Sequence, residues 1–176
     1  MTDLQKEIDR YIERVPDFPQ AGIQYKDISP VFLHPELCTK VLEEFASFSR
    51  GKVDAVCGIE SRGFLFGVQI ARAIDVPFIF IRKAGKLPPP IICKEYELEY
   101  GTAVIEMREG HLKAGQRVLV HDDVLATGGT AAACAELVEK CGAKVEQFSF
   151  LVNLSSLNGM EFIKQYTPNI HVLLEY

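Results

Sequence analysis

Two aspartates side by side, Asp122 and Asp123, follow the run Val118-Leu119-Val120-His121 and lead through Val124-Leu125-Ala126 into Thr127-Gly128-Gly129-Thr130. Adjacent carboxylates at a strand end can accept hydrogen bonds from vicinal hydroxyls. Thr-Gly-Gly-Thr ahead of a helix leaves backbone N–H groups and two hydroxyls to surround a phosphate. Together they suit a sugar phosphate. The plainer alternative is an acidic turn followed by a helix that Thr130 caps. Capping accounts for neither the paired aspartates nor the double glycine. His121 reads as a packed side chain that completes the strand rather than as a catalytic base.

A second loop, Gly58-Ile59-Glu60-Ser61-Arg62-Gly63, sets an arginine and a run of amides between a strand end and a helix start, which suits another anion. Close behind it, Ile81-Arg82-Lys83-Ala84-Gly85-Lys86-Leu87-Pro88 brings three cations to the end of an apolar run. One crevice with two anion subsites and a diol subsite fits a ligand that carries a phosphate, two hydroxyls and a pyrophosphate. Gly85-Lys86 is followed by Leu87, so there is no G-x-x-x-x-G-K-[ST] motif, and G-x-G-x-x-G does not occur.

The elements that must hold these loops follow from periodicity. Residues 2–15 carry Leu4, Ile8, Tyr11, Ile12 and Val15 at helical spacing, and two prolines and a glycine within 16–22 break the chain into a loop. Helices are predicted over about 35–48, 64–74 and 130–141. Strands are predicted over 53–57, 76–81, 117–120 and 145–152, with loops at 58–63 and 121–129. Strands alternating with helices, and apolar throughout, indicate a central mostly parallel sheet with helices on both faces. Ligands of such sheets bind at the carboxyl ends of the strands, where all three loops lie. Residues 84–101, rich in Pro, Gly and Lys, are long for a connector and read as a flexible working loop.

A chain of 176 residues, 48% of them hydrophobic, can form one domain over 1–176. Its 24 acidic and 19 basic residues give a net charge of −5 and no long cationic run, which argues against a nucleic-acid partner. The charged start is unlike a signal peptide, and no run reaches the roughly 18 apolar residues of a membrane span, so a cytoplasmic enzyme without membrane contact is expected. Five cysteines without CxxC spacing support neither a disulfide framework nor a zinc site.

Val118 to Thr130 closely resembles the phosphoribosyl pyrophosphate (PRPP) motif of the type I phosphoribosyltransferases, with His121 where an aliphatic residue is usual. Phe18-Pro19, Gly22 to Pro30, Ser61-Arg62-Gly63-Phe64, Arg82-Lys83 with Gly85-Lys86-Leu87-Pro88, Leu98-Glu99-Tyr100-Gly101 and Leu151 to Leu157 are similar to segments of the adenine-using members. The resemblance implies the fold of that family, with a small hood from the N-terminal and C-terminal segments. It also implies purine salvage, with adenine and PRPP converted to AMP and pyrophosphate in a homodimer. Gln24, Tyr25, Lys26 and Arg62 would bind the base. Arg62, Arg82, Lys83, Lys86 and Tyr100 would hold PRPP, with Asp122 and Asp123 on the ribose and Ala126, Thr127, Gly128, Gly129 and Thr130 on the 5-phosphate. Glu99 would be the catalytic acid or base, with Arg62 beside it. Mg²⁺ would arrive on PRPP rather than on protein ligands. A non-proline cis peptide is implied between Glu60 and Ser61. Gln24, Lys26, Pro89 and Asn153 depart from the residues usual in the family. The alternatives are a transferase for another base and a PRPP-sensing protein without turnover.

Overall fold

The computed structural model describes residues 1–97 and 101–176 and divides into two compact units, Met1–Glu44 and Phe45–Tyr176. Glu99 and Tyr100 lie outside the described residues.

In the first unit, helix α1 (Asp3–Tyr11) opens with a reciprocal cap: the Gln5 amide donates to the Thr2 hydroxyl at 3.2 Å and the Thr2 amide to the Gln5 side chain at 2.7 Å. The predicted helix over 2–15 stops short. Ile12 turns extended, and strand β1 (Glu13–Pro16) pairs antiparallel with β2 (Gln24–Asp27). The apolar spacing of Ile12 and Val15 suits a helix, yet both are β-branched and a proline follows, so pairing with β2 wins. A 3-10 turn at Ser29–Leu33 leads to helix α2 (Pro35–Ser49), which starts on a proline, a position where the missing N–H costs nothing. Its last residues, from Phe45, belong to the second unit.

The second unit is a seven-stranded sheet. Its strands are β3 (Ala55–Ile59), β4 (Phe78–Lys83), β5 (Ile91–Glu97), β6 (Thr102–Arg108), β7 (Arg117–Leu125), β8 (Lys144–Asn153) and β9 (Ile170–Glu175), in the order β5-β6-β4-β3-β7-β8-β9. The pairs joining β4, β3, β7, β8 and β9 are parallel, while β6 runs antiparallel to β4 and to β5. Helix α3 (Gly63–Ala73) follows β3, and α4 (Gly129–Lys140) follows β7. Alternate residues of the strands serve opposite faces. Ala55, Cys57, Val118 and Val120 pack with α4 residues such as Cys134 and Leu137. His121 instead meets the Phe45 ring on the other face, and the Phe45 ring meets Phe66 of α3. Helices therefore cover both faces.

Two expectations change here. The stretch 84–101 contains β5, an edge strand whose residues alternate between exposed and half-buried, so the irregular part among the described residues narrows to 84–90. The three consecutive prolines masked that alternation. The C-terminal segment, expected to help form a hood, adds β9 to the sheet beside β8, because Val172 and Leu174 pair in register with Phe150 and Val152.

His121 is fully buried, with Nδ1 2.8 Å from the Ser149 hydroxyl, as a packed strand residue should be. Burial lowers its pKa to about 3. The unfolded chain binds a proton near pH 6.5 that the folded chain refuses, so this residue makes stability fall as pH drops from about 6.5 toward 3. His121→Val is expected to flatten the loss of stability between about pH 6.5 and 4.5, above the window in which carboxylates titrate. Thermal melts across that range check it; an unchanged slope contradicts the assignment.

Candidate active site

The chain leaves β3 toward β4 on one side and reaches β7 on the other, so the carboxyl ends of β3 and β7 form the point where the strand order reverses. Crevices of α/β sheets open at such points. Here the loop after β3 carries Glu60, Ser61 and Arg62, and the Glu60–Ser61 peptide is cis, as expected. The β7 strand runs further than predicted, to Leu125, and includes both aspartates. They are held by strand pairing rather than by a loop, since Asp122 lies in register with Phe150 of β8.

Close approach to Asp122 requires a residue without a side chain. A Cβ on Gly63 would stand 2.8 Å from the His121 carbonyl oxygen and 2.9 Å from Asp122 Oδ1. Asp123 is buried, and its Oδ2 sits 2.9 Å from Arg62 Nε. Burial raises the pKa of Asp122, and the neighbouring Asp123 raises it further. Burial also raises Asp123, against the opposing pull of the Arg62 guanidinium. Two adjacent carboxylates at this strand end are poised to accept hydroxyl donors.

Beyond β7 the chain turns through Gly128, at φ +86, a left-handed conformation that glycine adopts without penalty. Thr130 lies inside α4 and does not cap it; the helix has no side-chain cap, and the Thr130 hydroxyl donates to the Tyr96 hydroxyl at 3.2 Å. The capping alternative is thereby excluded. The turn also leans on helix α5 (Gly159–Ile163), where a Cβ on Gly159 would lie 2.2 Å from the Ala126 carbonyl oxygen and 3.0 Å from the Gly128 nitrogen. Gly159→Ala must push the loop outward, and we expect about a tenfold loss of sugar-phosphate affinity with a lowered melting temperature. Titration calorimetry checks it, and full affinity in the folded variant contradicts the close approach.

Two cavities meet at Asp122, Val124 and Ala126. The larger, about 420 Å³, is lined by Glu60, Ser61, Arg62, Lys83, Lys86, Asp122, Asp123, Val124 and Ala126. The smaller, about 70 Å³, is formed by Ala126, Thr127, Gly128, Gly129 and Thr130 with their neighbours. The predicted anion loops, the diol acids and the phosphate loop thus share one crevice. Arg82 stands behind it, with Nε and Nη2 each 3.2 Å from the Glu60 carboxylate. Gln24, Tyr25 and Lys26 belong to β2 of the first unit, where Lys26 Nζ donates to Gln24 Oε1 at 2.9 Å and the Tyr25 ring meets Phe18 edge-on. Burial, then the nearby Arg14, lowers the Lys26 pKa.

Sequence reasoning missed Glu60 and Glu106. Glu60 also accepts from Lys86 Nζ at 2.7 Å and the Lys83 amide at 3.0 Å. Burial alone would raise its pKa, but Lys86, Arg82 and the Lys83 amide outweigh it and bring it down to about 2. An acid inside the apolar run Ala103-Val104-Ile105-Glu106-Met107 was the available signal for the other.

Among the described residues, no group of three or more His, Cys, Asp and Glu could hold a metal ion, and no helix is long and apolar enough to cross a membrane.

Comparison with known proteins agrees with this geometry. The family model described as "Phosphoribosyl transferase domain" matches residues 35–157. An adenine phosphoribosyltransferase of Christiangramia forsetii is 46% identical over 161 residues, covering 91% of this chain and 94% of the relative. The crystal structure of adenine phosphoribosyltransferase from Thermoanaerobacter pseudethanolicus superposes with a TM-score of 0.93 at 41% identity, covering 98% of this chain and 99% of that one. That of Saccharomyces cerevisiae, complexed with adenine and an imino-altritol bisphosphate, gives a TM-score of 0.91 at 36% identity, covering 99% and 100%. A crevice built for a sugar phosphate and a second anion, on a fold and a sequence shared with these enzymes along nearly the whole chain, places the protein in the phosphoribosyltransferase family, among the adenine phosphoribosyltransferases.

Proposed function

We propose that the chain transfers the phosphoribosyl group of PRPP to adenine, giving AMP and pyrophosphate in purine salvage. The observation that carries this reading is the junction of the two cavities at Asp122, Val124 and Ala126. A ribose over the acid pair can then reach the glycine loop with its 5-phosphate and the lysines with its pyrophosphate.

Cleavage of the bond from C1 to pyrophosphate builds positive charge on the ribose ring and negative charge on the leaving group. Lys83 and Lys86 line the side where the leaving group would lie, and the buried acids fix the ribose hydroxyls, so the chain contributes position and electrostatic stabilisation. Gln24, Tyr25 and Lys26 are assigned to the base, and Glu99 and Tyr100 to the reacting end, on the resemblance. Mg²⁺ would arrive on PRPP with substrate and water oxygens as its ligands, and the Asp122 and Asp123 carboxylates at the cavity are suited to accept hydrogen bonds from such water. Such an ion would offset charge on the departing pyrophosphate.

A homodimer belongs to this reading. Leu65 and Val68 of α3 and Phe80 of β4 are large apolar side chains that remain 44–46% exposed, a cost that a second copy of the chain would remove. A cytoplasmic location is proposed on the composition. The deciding experiment measures PRPP consumption with adenine, hypoxanthine, guanine, xanthine and uracil. Adenine alone should support turnover; preference for another base, or binding without turnover, would replace this reading.

A further inference from the structure

Lys86 is held at three points. Its Nζ donates to Glu60 Oε1 at 2.7 Å, its amide donates to Glu106 Oε1 at 2.8 Å, and its carbonyl accepts from Arg82 Nη1 at 3.2 Å. Glu106, on β6 and 1% exposed, also accepts from the Gly85 amide at 3.0 Å and the Leu87 amide at 2.7 Å. Three successive N–H groups converging on one carboxylate form an anion-binding concavity that the chain fills with its own side chain. Strand pairing puts Arg82 opposite Glu106, and the Arg82 fork grips Glu60 through Nε and Nη2. Arg82 Nε, Nη1 and Nη2 therefore all point at protein groups, while Lys83 and Lys86 line the cavity.

We propose that Glu60, Glu106 and Arg82 are positioning residues that preset Lys83 and Lys86 for a pyrophosphate group, with Arg82 acting through Glu60 and the Lys86 carbonyl rather than on the substrate. The proposal rests on the assignment of this end of the cavity to pyrophosphate. It explains how two carboxylates can belong to an anion site. An ammonium has three N–H donors, and among the described residues Glu60 engages one at Lys86, which leaves two for an incoming oxyanion. A loop with Gly85 at its turn would otherwise wander, and a donor fixed in advance stabilises charge without reorganising.

The test turns on sign. Removing a negative charge beside an anion subsite strengthens anion binding if charge alone matters. Positioning predicts the reverse. Glu60→Gln and Glu106→Gln keep side-chain size but turn an amide NH₂ toward donors. Each is expected to weaken binding of inorganic pyrophosphate about tenfold and to raise the KM for PRPP likewise, with AMP affinity unchanged, since AMP lacks that group. Calorimetry with pyrophosphate and with AMP reads both, and a thermal melt reports folding. Unchanged or tighter pyrophosphate binding in both variants overturns the proposal. So does an equal loss of AMP, which marks general damage to the fold. Lys86→Ala separates the two levels: if it leaves pyrophosphate binding intact, the subsite assignment falls and the positioning role with it. If Lys86→Ala weakens binding while neither glutamine variant does, the assignment stands and only the positioning role falls.

Discussion

Replacing Asp122 and Asp123 together by asparagine is expected to remove most PRPP and AMP binding while raising the melting temperature. Each carboxylate lost to a ribose hydroxyl forfeits a charged hydrogen bond of about 1.5–3 kcal/mol, so two amount to a loss of roughly a hundredfold or more. The stability change has the opposite sign because burial raises both pKa values, and the neighbouring Asp123 raises that of Asp122 further. A carboxyl whose folded value is raised favours the fold only at low pH, and that contribution is lost as pH rises through the raised value. At neutral pH the pair opposes folding, and asparagine relieves it. Arg62 tolerates the loss of Asp123, since its side chain is 36% exposed and can turn to water. Calorimetry that finds unchanged PRPP affinity in the folded double variant would sink the assignment of the pair to ribose.

Glu99→Ala is expected to lower kcat about a hundredfold, equivalent to roughly 3 kcal/mol of transition-state stabilisation, while leaving the affinities for adenine and PRPP near wild type. An interaction made mainly in the transition state changes turnover and spares ground-state binding. Glu95→Ala is the control, because Glu95 is an exposed carboxylate of β5 in register with Val104. Single-turnover kinetics separate the steps. Full turnover in Glu99→Ala, or a parallel loss of binding and turnover, would remove Glu99 from the catalytic role.

What could be read from residues alone was whatever is local. The acid pair, the glycine turn and the helix behind them lie within one short stretch, so type and spacing sufficed; even the packed role of His121 followed from its place in an apolar strand. The loss of Thr130 as a cap did not, because its partner Tyr96 stands 34 residues away on strand β5. Glu60 and Arg82 are 22 positions apart, and Glu106 and Lys86 are 20. Such pairs depend on strand order, which no window of sequence displays. The β1–β2 hairpin was hidden for a different reason. Its residues carry a helical apolar pattern, and only pairing across the turn at Gly22, where the amide donates to Asp17 at 2.7 Å, makes the extended form win.

The larger cavity has a consequence for how fast its ligand arrives. Its walls carry three carboxylates, Glu60, Asp122 and Asp123, and three cations, Arg62, Lys83 and Lys86, on a chain whose net charge is −5. At distances beyond a Debye length of about 8 Å, groups of both signs side by side leave little field with which to draw in a polyanion. Capture of PRPP then proceeds by unaided diffusion, and ionic strength has little leverage on the association rate. Discrimination comes after contact, when each charge of the ligand meets its own counterpart, and it is expressed in how long the ligand stays.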